Sequence, residues 1–330
     1  MKRVRFAPSP TGSLHVGNAL SAVANRGLGD WMLLRIDDTD PQRNVPGGEE
    51  EIIRDLEWLG LVWEEGPVRQ SERQDRYREA GAKLGERFDG ITLLREDGSA
   101  TYHIASVVDD IDFGITHIVR GFDHRPNEEL HRRLFQALGA TPPEFIHHGL
   151  ILGEDGKKLA KRAPGATVAS LRDAGIPGEA VRRYLEELGV PHHDVHYDLP
   201  RIRRLAIEAI EAMSDEELAE RAGAPVDVVP ALRGARDLNE ARETTRAILE
   251  PAPAQLDESA RPTLDRFREL LTAANGDLDA RALLRELKAV GGNLKALRLA
   301  LTGRDRGPEL WAVIAALPRE EALRRIDAAL

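Results

Sequence analysis

At 330 residues the chain is long enough for two or three domains, each with its own core. Apolar residues make up 42% and charged residues 31%, ordinary for a globular protein, and the net charge of −10 argues against a nonspecific nucleic-acid coat. With no cysteine there are no disulfides or thiolate zinc sites; no apolar run approaches the roughly 20 residues of a membrane span, and the start reads as a strand, so a cytoplasmic chain is expected.

Val4 to Ala7 reads as a short strand that Pro8 and Pro10 terminate. A glycine-containing loop follows within Arg5–Asn18, and a helix is predicted from Asn18 to Arg26. Strand, tight loop and helix start make an anion site, because free backbone N–H groups and the positive helix end face the loop. The loop has neither the lysine-bearing Walker pattern nor the Rossmann glycine fingerprint. It carries instead an imidazole, His15, two residues before Gly17, where backbone can approach a ligand closely.

Trp31 to Ile36 reads as a buried strand with Asp37-Asp38-Thr39-Asp40 at its carboxyl end, where open parallel α/β sheets bind ligands. Pro46 to Glu50 opens a helix in which Ile52, Ile53, Leu56 and Leu59 recur at helical spacing, closing at Gly60. Gln70 to Leu84 is a further helix, and Gly85 to Ala100 fits a hairpin, with Ile91 to Leu94 as one arm and a turn at Asp97-Gly98. Thr101 to Val108 predicts a strand ending in Asp109-Asp110, and Ile115 to Val119 another, ending at Arg120 to His124. Asn127 to Leu138 is a helix with His131, Arg132 and Arg133 on its polar side, and Phe145 to Leu152 is the last strand. His103, His117, His147 and His148 fall on or beside these strands, the last two as pocket-wall residues.

The last strand feeds Gly153–Arg162, a turn followed by four cations in six residues, among them Lys158 and Lys161. Taken alone, such a run is as much a solvated loop as a ligand clamp. Alternating strands and helices with candidate sites at strand ends predict a doubly wound parallel sheet. From Val168 onward strand signals nearly vanish, and helices are expected over 171–174, 178–188, 205–213, 215–222 and 238–249. After Pro251-Ala252-Pro253 they continue over 264–274, 279–290, 294–302, 308–317 and 319–330. His192, His193 and His196 have metal-like spacing, but without cysteine or a matching carboxylate cluster no metal site is expected.

Read together and in order, FAPSPTGSLHVGN, RIDDTD, VRQSER, TYHIASVVDD, IVRGFDH and GKKLAKR resemble the class I aminoacyl-tRNA synthetases, within them the glutamyl-tRNA synthetase family. The ending, with LRLALTG, resembles the bacterial glutamyl anticodon-binding domain. The resemblance implies a Rossmann-type (HUP-like) α/β parallel-sheet catalytic domain over 1–165, stem-contact helices over 166–200 and an all-α anticodon-binding domain over 201–330. It departs in one large respect. The insertion with which the family grips the acceptor end of tRNA is reduced here to about residues 85–100.

The implied activity is attack of a glutamate carboxylate on the α-phosphorus of ATP, with Mg²⁺, giving glutamyl adenylate, then transfer to tRNA for glutamate by a monomer. Positioning and electrostatic stabilisation carry such a reaction. Carried over residue by residue, His15, Lys158 and Lys161 are catalytic; Pro8, Thr11, Gly12, Gly17, Asn18 and Leu159 join His15 and Lys161 around ATP. Arg5, Ala7, Ser9, Asp37, Tyr102, Ser106 and Arg120 surround glutamate, the arginines supplying the planar cation its side chain requires. Asp37 stands where the family has glutamate, Ser106 where discriminating bacterial enzymes have asparagine, Ala160 where serine is usual and Asn18 where a second histidine occurs. RNA contacts are expected from Arg132, Arg133, Arg182, Arg183, Arg201, Arg203, Arg204 and Arg298. Two rivals remain at this point. An adenylating paralogue serving another acceptor is favoured by the missing insertion, and an inactive RNA-binding paralogue is disfavoured by the retained His15, Lys158 and Lys161.

Overall fold

Strand β1 (Arg3–Phe6), helix α1 (Val16–Leu28) and strand β2 (Trp31–Ile36) form a right-sized crossover whose two strands pair in parallel. Helix α2 (Gly48–Trp58) leads to β3 (Glu65–Arg69), which pairs parallel to the other edge of β2. A 3₁₀ turn at Gln70–Arg73 and α3 (Gln74–Leu84) follow, then the short hairpin β4 (Arg87–Phe88) and β5 (Ile91–Thr92), and α4 (Tyr102–Asp112). Strand β6 (His117–Gly121), α5 (Glu128–Ala137) and β7 (Glu144–His148) make a second parallel unit. Beyond it lie β8 (Ile151–Leu152), α6 (Val168–Asp173), α7 (Gly178–Leu188) and β9 (Val195–His196), the last pairing parallel with β8.

The computed structural model describes residues 1–254, 256–274 and 278–330, and divides into two compact units, 1–173 with 178–202 and 174–177 with 203–330. In the first unit β6 lies beside β1: the Thr116 N–H donates to the Arg3 carbonyl at 2.8 Å, and the Arg3 N–H to Thr116 Oγ1 at 2.9 Å. The spatial order is therefore β3-β2-β1-β6-β7, with the reversal between β1 and β6. Ligands of open α/β sheets bind outside the strand ends at such a switch point.

Asn25 of α1 is fully buried across this junction, its amide donating to the Val119 carbonyl at 2.8 Å and accepting from the Val119 N–H at 3.2 Å. It serves Val119 as a neighbouring strand would, which satisfies backbone groups that burial leaves without water.

Several expectations are corrected. Thr101 to Val108 is not a strand: Tyr102–Asp112 is α4, whose Ile104, Ala105, Val107 and Val108 pack against Tyr77 and Ala80 of α3 and Leu134 and Phe135 of α5. A short buried apolar run has no periodicity that separates strand from helix, and here the neighbouring helices decide. His103 and the Asp109-Asp110 pair accordingly sit in a helix. His131 is 3% exposed, facing inward from α5 and not lying on its polar side. Phe145 to Leu152 is broken at Gly149, whose N–H turns to the Pro191 carbonyl at 2.8 Å. Strand β3 escapes sequence reading because its glycine, proline and charges conceal a strand that β2 nonetheless pairs. The hairpin turns at Asp89-Gly90, with a Leu94–Ala100 bridge and the Arg95–Gly98 turn after it.

The second unit is helical: α8 (Leu199–Ala212, which the chain enters from the first unit), α9 (Asp215–Ala222), α10 (Val229–Leu232) and α11 (Leu238–Leu249), then α12 (Arg261–Ala273), α13 (Ala280–Ala289), α14 (Leu294–Thr302), α15 (Leu310–Ala316) and α16 (Arg319–Ala329). Side chains of Ser214, Asp237, Asp279 and Asn293 accept backbone N–H bonds and cap α9, α11, α13 and α14. Leu218, Leu232, Phe267, Leu271, Leu287, Leu297, Val313 and Ile326 fill one core. None of the described helices is long and apolar enough to cross a membrane.

An Asn25→Leu variant, which leaves both Val119 backbone groups unpaired in the interior, is expected to lose about 1–3 kcal/mol of stability. A denaturation midpoint of the first unit equal to wild type contradicts this.

Candidate active site

His15 caps α1, and the Gly17 N–H donates to its Nδ1 at 3.1 Å. That bond leaves the proton on Nε2, which is buried and makes no hydrogen bond of standard geometry among the described residues, although the Leu159 backbone lies close enough to act on the ring. An unpaired buried donor is costly unless a ligand meets it. Burial holds the His15 imidazole below its usual range, with the ammonium groups of Lys158 and Lys161 pushing the same way and the Leu159 carbonyl opposing.

The loop before His15 is pinned from below. The Leu14 N–H and the Ser13 hydroxyl donate to Asp55 of α2 at 2.8 and 2.7 Å, and Arg172 of α6 pairs with the same carboxylate at 2.7 Å. Gly12 has φ +89°, a conformation that favours glycine, and a Cβ on Gly48 would stand 2.5 Å from the Pro10 carbonyl oxygen. The lysine loop comes to this same place. After it, the Val16 N–H donates to the Ala166 carbonyl and the Val168 N–H to the Leu14 carbonyl, both at 2.9 Å. Lys161 Nζ donates to Thr11 Oγ1 at 3.4 Å, and Lys158 Nζ to Asp123 at 2.7 Å.

A cavity of about 510 Å³ opens at the switch point, lined among others by Arg5, Ala7, Pro8, Ser9, Thr11, His15, Gly17, Asn18, Asp37, Tyr102, Arg120 and Lys158. Arg120, at the end of β6, is 5% exposed; its Nε donates to His147 at 3.1 Å, while both Nη nitrogens are buried without partners. Burial, aided by the Arg5 charge, draws its guanidinium below the usual value. Arg5, from β1, contacts Asp110 at 3.4 Å. The Arg120 side of the cavity thus lacks an anion, and its wall also presents the His15 imidazole and the Lys158 ammonium, the latter paired with Asp123.

Gly12, Ser106, Leu159 and Lys161 do not line the cavity. Gly12 shapes the loop, Lys161 reaches Thr11, and the Leu159 N–H donates to the Ile151 carbonyl at 2.9 Å. Ser106 stands behind the wall against Arg35, which sequence reading passed over as one charge inside an apolar strand. Arg35 is fully buried and donates to Asp37 at 2.6 and 3.2 Å, to Asp110 at 2.8 Å and to Ser106 at 3.3 Å. Two of the four residues that depart from the family pattern, Asp37 and Ser106, therefore touch one guanidinium. Burial raises the Asp37 carboxyl, against the pull of Arg35. Such multiple carboxylate pairing is what permits a buried arginine. Only β2's buried position and the acidic DD pair could have signalled it.

A second cavity of about 370 Å³ shares Ser9, Asp37, Arg43 and Tyr102 with the first and is closed by Ile91, Thr92 and Arg95 of the hairpin region. Of His103, His117, His147 and His148, the last lines the first cavity, with Ser21 Oγ 2.7 Å from its Nε2. Several arginines expected to meet RNA are already engaged: Arg132 with Glu128, Arg133 with Asp89, Arg182 with Glu186, and Arg183 and Arg201 with Glu187. Among the described residues no group of three or more His, Asp or Glu is placed to hold a metal, His192, His193 and His196 included.

The family described as class I tRNA synthetases (E and Q), catalytic domain, matches residues 1–87 and 84–203, and an anticodon-binding domain family matches 216–330. The first match comes in two pieces that overlap at residues 84–87, at the start of the hairpin. Among curated relatives, glutamate–tRNA ligase 1 of Rubrobacter xylanophilus is 35% identical, the match covering 99% of this chain and 97% of the relative. The glutamate–tRNA ligase of Akkermansia muciniphila is 31% identical over 98% of each. The first alignment runs over 424 positions against 330 residues here, so it places gaps against this chain. Among solved structures, the glutamate tRNA ligase of Elizabethkingia meningosepticum, in complex with its amino acid, superposes with a TM-score of 0.75 at 22% identity, over 99% of each chain, and shows the shared fold.

Around Arg120 the imidazoles are kept neutral. Burial, with the Arg120 charge, lowers His131 to about 2 and His147 to about 4, from a usual value of 6.5. Between those values the unfolded chain binds protons that the folded chain does not, so this contribution is complete above pH 6.5 and is lost as pH falls. Between pH 6.5 and about 5, His131→Gln is expected to flatten the fall in unfolding free energy by up to about 1.4 kcal/mol per pH unit. Parallel wild-type and variant slopes contradict the assignment.

Proposed function

The chain belongs to the class I tRNA synthetases of the glutamate and glutamine branch, and on that premise we propose that it activates glutamate with ATP and delivers the acyl group to tRNA. The observation that carries this reading is Arg120: a buried guanidinium with two unpaired Nη nitrogens at one end of a cavity whose other end offers a bare imidazole N–H. A side-chain carboxylate fits the first, and phosphate oxygens fit the second.

The substrate's side-chain carboxylate is met by Arg120 and Arg5, and its ammonium group lies toward Asp37 and Ser9. Its reacting carboxylate is thereby turned toward His15. The Nε2–H of His15 and the ammonium groups of Lys158 and Lys161 stabilise charge that develops on the phosphates, which is where preorganised donors contribute most. Mg²⁺ would be held chiefly by phosphate oxygens and supply charge neutralisation there, with Asp123 the nearest cavity carboxylate on the lysine side. The second cavity, contiguous through Ser9, Asp37, Arg43 and Tyr102, gives the acceptor a route to the same carboxylate. The helical unit matching an anticodon-binding family supports tRNA as that acceptor and counts against a small molecule.

The purified chain is expected to show glutamate-dependent exchange of pyrophosphate into ATP in the presence of tRNA, and to form glutamyl-tRNA. Lys161→Ala and His15→Ala should each lower the exchange rate constant by about a hundredfold or more, with a smaller change in glutamate KM. Exchange without charging, or a Lys161→Ala rate equal to wild type, contradicts the proposal.

A further inference from the structure

Arg120 and His147 are cross-strand partners in the β6–β7 register, so their side chains share one face of the sheet. The Nε–H of Arg120 donates to His147 Nε2 at 3.1 Å, which requires that nitrogen to be unprotonated. The proton is then on Nδ1, and Nδ1 lies 3.5 Å from the Glu128 carboxylate. Glu128 in turn pairs with Arg132, one helical turn along α5, at 2.7 Å. The Arg132 guanidinium lies over the Phe145 ring at 4.9 Å, and the Arg120 guanidinium over the same ring at 4.8 Å. Phe145 is two residues before His147, on the same side of β7.

The contacts close on themselves: Arg120, His147, Glu128, Arg132, Phe145 and back to Arg120. We propose that this ring is a frame that fixes the direction of the Arg120 fork, which makes His147 and Glu128 positioning residues for the substrate's side-chain carboxylate. The frame takes the Nε edge and a face of the guanidinium and leaves only the two Nη nitrogens, the pair that a carboxylate meets in parallel. Glu128 acts through the histidine. Its carboxylate, 3.5 Å from Nδ1, electrostatically favours the tautomer with the proton there, whose Nε2 can receive the arginine; the other tautomer would set two N–H groups against each other. The inference rests on reading the Arg120 end of the cavity as the seat of the substrate carboxylate.

The test compares His147→Leu, His147→Gln and Glu128→Ala with wild type in glutamate-dependent pyrophosphate exchange with tRNA present. His147→Leu is expected to raise glutamate KM by about tenfold to a hundredfold and to leave ATP KM within about twofold, the size of losing one hydrogen bond to a charged group. His147→Gln, whose side-chain oxygen can accept from Nε, should return KM to within about threefold of wild type, and Glu128→Ala should raise it severalfold. Glutamate KM unchanged in both His147→Leu and Glu128→Ala overturns the frame, as does ATP KM rising in step with it. If His147→Leu does not fold, Glu128→Ala and His147→Gln decide alone: a KM in Glu128→Ala equal to that of wild type overturns it. Calorimetric titration with glutamate separates this proposal from the function on which it rests. Wild-type binding that Glu128→Ala weakens, without exchange, supports the frame and sinks only the ligase reading; no binding by wild type overturns both.

Discussion

Arg120 is the constraint from which the rest of the site follows. A guanidinium that is 5% exposed, with two nitrogens that bond nothing in the protein, is unfavourable in isolation. It is tolerable only if the imidazoles around it add no further positive charge and if an anion completes it. The surroundings meet the first condition: His131, His147 and His124 are held neutral by burial and by nearby arginines. The second condition describes a substrate. The fold supplies the place, since β1 and β6 part at the point where strand order reverses, and their ends carry Arg5 and Arg120 into the opening.

At the other end the same economy of partners holds. Gly17 occupies Nδ1 of His15 and leaves Nε2–H bare, while the paired segments 14–16 and 166–168 bring the lysine loop onto the motif loop. Asp55 is the hidden member of this arrangement. It binds Ser13, Leu14 and Arg172 together, so the first basic motif and the helix after the second are tied to one carboxylate. Below the cavity floor, Arg35 does the equivalent for Asp37, Asp110 and Ser106. Asp37, a methylene shorter than the family's residue, is thereby held in place by its own protein before any ligand arrives.

The sequence made β1, α1 and β2 legible because prolines, glycine and an unbroken apolar run each have a local cause. It also made the cationic segments around His15 and Lys161 legible as a pair, and the coordinates bring Lys161 within 3.4 Å of Thr11. What stayed hidden was set by tertiary partners. Residues 101–108 are apolar enough for a strand, and only packing between α3 and α5 makes them a helix. His131 has the spacing of a surface residue of an amphipathic helix, but Tyr102 and His103 pack against it tilted and edge-on at 5.5 and 5.4 Å between ring centres. Asp55 had no signal in the sequence and Arg35 only the weak one of a charge in a buried strand with an acidic pair elsewhere, because a buried charge is recognisable chiefly by what pairs with it. The reduced insertion is an expectation drawn from the sixteen residues Gly85–Ala100 set against the resemblance, and the two pieces of the family match meet at residues 84–87.

On the proposed reading the cavity has one anion-seeking side and one phosphate-seeking side, and the choice of amino acid depends on the first. The most direct measurement is exchange supported by glutamate against exchange supported by glutamine, which has the same shape without the charge. Glutamate should be preferred by about a thousandfold or more in kcat/KM, because glutamine leaves the buried guanidinium uncompensated. Equal use of the two amino acids would contradict Arg120 as the group that selects the substrate.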